Sequence, residues 1–315
     1  MRNPEPLPRD LGSVFGVADA RDLGVQRGTL RHPRFERPFR GVRVLPDERS
    51  LSDDSFMRQE QARRAAARAW LPRMLDTQFF SHETAAAIWG APLPLDGDPS
   101  VGFPVHVSIF GAAPLPRAPG IVGHRASPAT SDIITRGVVR ATSPASTWAS
   151  LGRLALPDLV ALGDFFCRVR RPGVGRRHVG RPPLTTRDEL RSAVDAGRRV
   201  GNPRLRQALE LIREDSWSPR ESHVRCILLA AGLPEPDLNV DVFDDDGRFL
   251  ACLDLAYPHR RTAIEYHGTV HAAHYAADVE RMARLRAAGW TVIEVTAALL
   301  ARPDVLTGRV RAALR

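Results

Sequence analysis

Near the carboxyl end of the chain, two strand-like runs at 248–256 and 261–268 carry acidic side chains inside otherwise apolar sequence. Asp254 lies within Cys252-Leu-Asp-Leu-Ala256 and Glu265 within Thr262-Ala-Ile-Glu-Tyr266. An uncompensated carboxylate is costly to bury in such a run, so each needs a reason. A two-residue turn at His259-Arg260, after Pro258, would set Asp254 directly opposite Glu265 with their Cβ atoms about 5 Å apart. Carboxylates at that distance repel unless a divalent cation lies between them. Side chains alternate along a strand, so His267 shares the face of Glu265, while Ile264 and Tyr266 point to the other. One face of this hairpin is expected to carry Asp254, Glu265 and His267. The rival reading of Asp254 is a cap on the Tyr257-Pro258 turn.

The surrounding elements must hold that face in place. The periodicity predicts a helix over 219–231, a strand over 238–243, an Asp244-Asp-Asp-Gly247 turn and strands over 248–256 and 262–267. A helix over 278–288, a strand over 290–295 and a helix over 305–314 follow. Gly289 suits the C′ stop of the long helix. A three-strand meander followed by a helix and a fourth strand is a mixed α/β core. Ser218-Pro-Arg-Glu221 fits a capping box in which the Glu221 side chain reaches back to the Ser218 amide, a structural role that competes with chemistry for Glu221.

Upstream, 13–45 reads as helix (17–23), a break at Gly24, helix (25–30) and a short strand (40–44), the outline of a winged helix-turn-helix. Arg31, Arg34, Arg37, Arg40 and Arg43 recur at every third residue, a spacing suited to successive phosphates, or simply to a solvated face. From about 52 to 168 the chain reads as an α+β region. It has helices over 58–70 and from Ser81-His82-Glu83, strands at 105–109 and near Ile121 and Val138, and helices opening at Ser143-Pro144 and Pro157-Asp158. His82, His106 and His124 are spread over 42 residues without paired spacing, which favours ordinary core or surface histidines over metal ligands. The Arg, Gly and Pro content of 170–183 reads as an exposed connector. The expected organisation is a winged helix (1–50), an α+β region (51–169), a linker (170–186) and a final mixed-sheet domain flanked by helices (187–315), led in by short charged helices over 187–196 and 203–214. The fold class is thus α+β with an α/β carboxyl-terminal part.

Composition agrees with a globular chain: 315 residues, 43% hydrophobic and 26% charged, with a net charge of +9. All 45 basic residues are arginine. A GC-rich coding sequence explains that bias most simply, although excess positive charge also suits a polyanion. Cys167, Cys226 and Cys252 are few, distant and set in apolar sequence, so neither a disulfide framework nor a CxxC zinc site is expected. With no signal-like apolar segment and no membrane-length run, the expected compartment is the reducing cytoplasm.

The order of acids and strands over 216–314 resembles the PD-(D/E)XK nuclease superfamily, and more closely the very-short-patch-repair-like endonuclease domains. The motifs that carry the resemblance are Ala231-Gly-Leu-Pro234, Asp254-Leu-Ala-Tyr-Pro258 and Ile264-Glu-Tyr-His-Gly-Thr-Val-His271. Asp278-Val-Glu-Arg281 and Gly289-Trp-Thr-Val-Ile-Glu-Val-Thr296 complete the set. The resemblance implies a restriction-endonuclease-like fold, Mg or Mn held by Glu221, Asp254 and Glu265, and a basic helix containing Arg281 beside the DNA. His267 stands where relatives often carry aspartate or lysine, and a chain without lysine leaves His267 or His271 to orient or deprotonate water. The winged-helix segment, Phe80-Ser-His-Glu-Thr-Ala-Ala86 and Val105-His-Val107 are similar to the abortive-infection type IV antitoxin family. That resemblance covers about 13–168 and implies promoter DNA and a toxin protein as partners. Two functions stay open on these grounds: a metal-dependent DNA endonuclease, and a regulator or antitoxin-like protein with an inactive nuclease fold.

Overall fold

A computed structural model describes residues 6–46, 52, 54–95, 102–267 and 275–315, without the side chains of 275–277. The chain is a mixed α+β protein that divides into two compact units, 1–151 with 195–200, and 152–194 with 201–315. No helix among the described residues is long and apolar enough to cross a membrane.

The first unit opens with β1 (Val14–Gly16), α1 (Val17–Asp22) and β2 (Val42–Val44), with β1 and β2 paired antiparallel. Leu11, Phe15, Ala20, Leu30 and Phe35 form their core. The helix expected over 25–30 does not form; the chain makes a three-residue 3₁₀ turn, Thr29–Arg31. Gly28 at its start and Pro33 just beyond it remove the residues that could propagate a helix. The five arginines therefore share no helical face. Arg43 Nε and Nη1 donate to the Leu30 and Val42 carbonyls at 2.7 and 2.8 Å, and Arg37 Nη2 to the Arg31 carbonyl at 2.7 Å. Arg34 lies over the Phe35 ring at 4.8 Å, while Arg31 and Arg40 are exposed. Three of the five arginines are thus engaged within the chain, and the other two are exposed.

The rest of this unit comprises α2 (Ser55–Trp70), β3 (Gln78–Phe80), α3 (His82–Trp89), β4 (Val105–Phe110), β5 (Ile121–Ala126), β6 (Ile133–Arg136), β7 (Val139–Thr142) and α4 (Pro144–Ser150). Caps set the helix starts: Asp54 accepts the Phe56 and Met57 amides, and Ser143, before Pro144, accepts the Ser146 amide. The five strands form one mixed sheet in the order β5-β4-β3-β7-β6, with β4 and β5 parallel.

In the second unit come α5 (Leu156–Cys167), α6 (Arg187–Asp195), α7 (Asn202–Leu211), α8 (Pro219–Ala230), β8 (Asp237–Phe243), β9 (Phe249–Tyr257) and β10 (Thr262–Tyr266). They are followed by α9 (Tyr275–Ala287), β11 (Thr291–Val295), α10 (Ala297–Leu300) and α11 (Pro303–Ala313). Strand order is β11-β10-β9-β8, a three-strand antiparallel meander with β11 added in parallel to β10. Val224 and Leu228 of α8, Leu299 of α10, and Leu306 and Val310 of α11 pack with Leu255, Ile264 and Ile293. Met282 and Leu285 of α9 pack with Leu253, Ala256 and Ala263 in a second cluster. Gly289 ends α9 with φ +80°, a conformation glycine adopts without strain.

Two sequence expectations about organisation change here. The division falls after Leu151 rather than at 170, because α5 packs on α7 and α8. The Arg/Gly/Pro segment is also more than an exposed connector. Arg176, 6% exposed at its side chain, reaches Asp241 Oδ1 at 2.7 Å and the Asn239 carbonyl at 3.1 Å. Its guanidinium lies 4.7 Å from the centre of the Trp217 ring, and Arg168 lies 5.2 Å from the same ring. The charged group is exchanged for defined acceptors and a π-face, so the segment is fastened to the sheet.

Candidate metal-binding acidic site

The hairpin register agrees with the sequence expectation, although its turn does not. Strands β9 and β10 pair as Tyr257↔Thr262, Ala256↔Ala263 and Leu255↔Ile264, which leaves Asp254 and Glu265 as the next opposed positions. The connection is four residues, 258–261, built from a 3₁₀ turn and Arg261 at φ +43°, instead of the two-residue loop. Adding two residues symmetrically preserves register, so the side-chain faces are unchanged.

At this position the side chains take over from the backbone ladder. Glu265 Oε1 accepts the Asp254 amide at 3.0 Å, and Asp254 Oδ2 accepts the Tyr266 amide at 2.9 Å. The pairing continues to both sides. Leu238↔Leu255 and Val240↔Leu253 place Asn239 opposite Asp254, and Glu265 is registered with Glu294 on β11. A polar row, Asn239, Asp254, Glu265 and Glu294, therefore crosses all four strands of the sheet.

Two helices close on this row. From α8, Glu221 Oε2 accepts the Asn239 Nδ2 amide at 2.9 Å and the Trp217 backbone amide at 2.8 Å. Ser218 Oγ accepts the Glu221 amide at 3.2 Å, which is half of the expected capping box. The other half is altered: the Glu221 carboxylate takes the amide of Trp217, one residue before the cap, and is thereby turned toward the strands. From α9, Arg281 Nη1 pairs with Glu265 Oε2 at 2.6 Å and Nη2 with Asp278 at 3.5 Å. Arg281 is thus a counter-ion inside the site, its side chain still partly exposed. His267 Nε2 is 3.5 Å from Glu294 Oε2, within ion-pair reach but not aligned as a hydrogen bond. His271 lies outside the described residues.

Glu221 is 4% and Glu265 2% exposed, and burial dominates their electrostatics. Burial pushes the Glu265 carboxyl up to about 7; neighbouring Asp254 raises it further, and Arg281 opposes the rise. Burial, then Asp254, likewise pushes Glu221 up to about 7 against its hydrogen bonds. Asp254 is raised by burial as well, with the Tyr266 amide, Arg281 and His267 pulling the other way. These are hard oxygen donors, the chemical type that small divalent cations take, and burial disfavours their charged forms.

This has a consequence for stability. A carboxyl whose folded pKa is raised above its ordinary value of 4.5 favours folding fully below pH 4.5, and that contribution is lost as pH rises through about 7. The metal-free protein is therefore expected to lose on the order of a few kcal/mol of stability between those limits from this pair. Mn(II) at 100 times its dissociation constant should return roughly 3 kcal/mol, most strongly at the alkaline end. Thermal unfolding across pH, with chelator and with Mn(II), reads this directly; a midpoint that rises with pH in chelator would contradict it.

Sequence reasoning missed Asn239, Glu294 and a separate cluster. Asn239 interrupts the alternation of β8 and takes φ +50°, a backbone region that asparagine tolerates; its place opposite Asp254 was the available signal. Glu294 stands within a quoted motif, but its partners His267 and Arg286, the latter at 2.5 Å, come from elsewhere in the fold. Among the described residues, the group of histidine, cysteine or acidic residues whose ligand atoms all lie within 4.8 Å of one another is not the acidic trio. It is His82, His106 and His124, in the first unit. Expected to be ordinary core or surface histidines, His106 and His124 are joined by the parallel pairing of β4 and β5, and His82, at the start of α3, stacks on His124. All three cysteines are free, as expected. No family model matches the chain, and neither a curated protein nor a solved structure matches it.

Proposed function

We propose that the second unit is a PD-(D/E)XK-like domain that hydrolyses phosphodiester bonds of DNA with Mg(II) or Mn(II) held by Glu221, Asp254 and Glu265. The observation that carries this reading is the grouping of two buried carboxylates, Glu221 and Glu265, around the half-buried Asp254, near enough for Asp254 to raise the pKa of both. The order of helix, meander, helix and parallel fourth strand is the arrangement that the resemblance implies, and it supports the same reading.

The metal, when bound, supplies charge neutralisation at the phosphate and lowers the pKa of water. The protein's own residues do the rest. Asn239 and the Trp217 amide aim the Glu221 carboxylate, and the Asp254 and Tyr266 amides fix the two strand carboxylates. Arg281 holds Glu265 in place and, on release from it, can pair with a phosphate oxygen. His267 Nε2, beside Glu294, is positioned to accept a proton from water in place of the lysine the chain lacks.

A second reading is favoured by the 2.6 Å Arg281–Glu265 pair, in which the guanidinium already neutralises a ligand carboxylate. In that reading the domain is an inactive nuclease fold in a regulator or antitoxin-like chain, with DNA or a toxin protein as partner. Turnover separates the two. Purified full chain incubated with supercoiled plasmid should produce nicked circles with Mg(II) or Mn(II) and none with chelator. Binding of DNA without nicking under either metal would establish the second reading.

A further inference from the structure

We propose that His82, His106 and His124 in the first unit form a second metal site, built for a borderline transition metal such as Zn(II), independent of the acidic site. His106 on β4 and His124 on β5 project from parallel neighbours in a register that sets His124 beside Ser108, two residues along from His106. His106 Nδ1 and His124 Nε2 are 2.8 Å apart. His82, the first residue of α3, takes φ +50° and stacks its ring on His124 with centroids 4.0 Å apart. One nitrogen from each of the three imidazoles thus lies within 4.8 Å of the others.

The outer partners carry the argument further. In metal sites, a ligating histidine typically engages a carboxylate or another polar group through its second nitrogen, which fixes tautomer and ring orientation. His106 has this arrangement: Nδ1 faces His124, and Nε2 lies 3.2 Å from Glu83 Oε2. His82 Nδ1 is 2.9 Å from Ser81 Oγ, which accepts a hydrogen bond from Ser108 Oγ at 2.7 Å. Two rings are therefore held by polar partners outside the group. Imidazole donors without thiolate or an acidic cluster suit Zn(II), Co(II), Ni(II) or Cu(II) rather than Mg(II). With metal–nitrogen bonds of about 2.0–2.1 Å, tetrahedral ligands lie roughly 3.3 Å apart, so His106 and His124 need part by only about 0.5 Å. The fourth position is left to water.

The test uses tag-free full chain stripped with chelator, titrated with Co(II) and then Zn(II), and read by visible absorption and calorimetry. One equivalent of Co(II) should give the intense bands of tetrahedral coordination, be displaced by Zn(II) and be unaffected by excess Mg(II). The double variant His106→Gln/His124→Gln should lose the signal, Glu83→Gln should bind roughly 10–100-fold more weakly, and Glu265→Gln should keep the tetrahedral bands even though it loses a ligand of the proposed acidic site. If the double variant does not fold, Glu83→Gln alone decides: unchanged affinity would overturn the proposal. So would absence of tetrahedral Co(II) bands in the parent, or their loss in Glu265→Gln.

Discussion

Glu265→Gln is expected to lower metal-dependent plasmid nicking by roughly 10³-fold or more, because it removes a charged ligand that shares its site with Asp254 and Glu221. Glutamine keeps the volume and can still accept the Asp254 amide, so the strand junction should survive. Arg281 loses its 2.6 Å partner but remains partly exposed and retains Asp278. The folding cost should therefore be modest, and loss of nicking with a preserved unfolding midpoint would assign the effect to chemistry. Circular dichroism and single-turnover nicking on one preparation make the distinction. Undiminished activity in the variant would show that the cleavage arises elsewhere, from another site or a contaminant. The same substitution also removes one of the carboxyls whose ionisation burdens the metal-free fold, so its stability should depend less steeply on pH than that of the parent.

The largest effect on stability is expected away from this site, at Arg225. Its side chain is fully buried, with Nη2 2.9 Å from Asp164 Oδ2, and Nη1 donating to the Leu211 carbonyl at 2.6 Å and to Glu235 at 3.2 Å. Asp164, on α5, also accepts the Arg213 amide and the Ser222 hydroxyl, each at 2.7 Å. The cluster ties α5, α7 and α8 together just behind the turn that carries Glu221. Arg225→Leu strands a buried carboxylate and should cost about 3–5 kcal/mol. For a unit of this size that lowers the unfolding midpoint by roughly 10 °C. The double variant Arg225→Leu/Asp164→Leu should recover much of the loss, since a well-packed apolar pair removes both desolvated charges at once. A double variant no more stable than the single would mean that Asp164 is held mainly by Arg213 and Ser222. Calorimetry of the parent, Arg225→Leu, Asp164→Leu and the double variant gives the coupling energy directly.

Much of the second unit was legible in the sequence, for a physical reason. Strand alternation, a glycine stop and a serine-proline helix start are local signals, and β8–β11 and α8, α9 and α11 lie within a few residues of where they were expected. The opposition of Asp254 and Glu265 was legible as well, because hairpin register is set by chain geometry over a dozen residues. The turn that sets it was misjudged by one residue on each side, an error that leaves parity unchanged. In the first unit, the outline of 25–45 misled. The helix expected over 25–30 is replaced by a 3₁₀ turn, because Gly28 and Pro33 leave too short a run to propagate a helix.

What the sequence by itself determined is the set of local elements, the absence of lysine, and the presence of acids where apolar residues belong. The tertiary structure alone decided who meets whom. Asn239 aims Glu221, Arg281 pairs with Glu265, and Arg176 turns an apparent linker into a clasp on the sheet. It also brings together three histidines 42 residues apart that share no motif. Strand pairing between distant segments and helix packing across a sheet depend on the whole set of buried contacts, and no window of sequence contains that information.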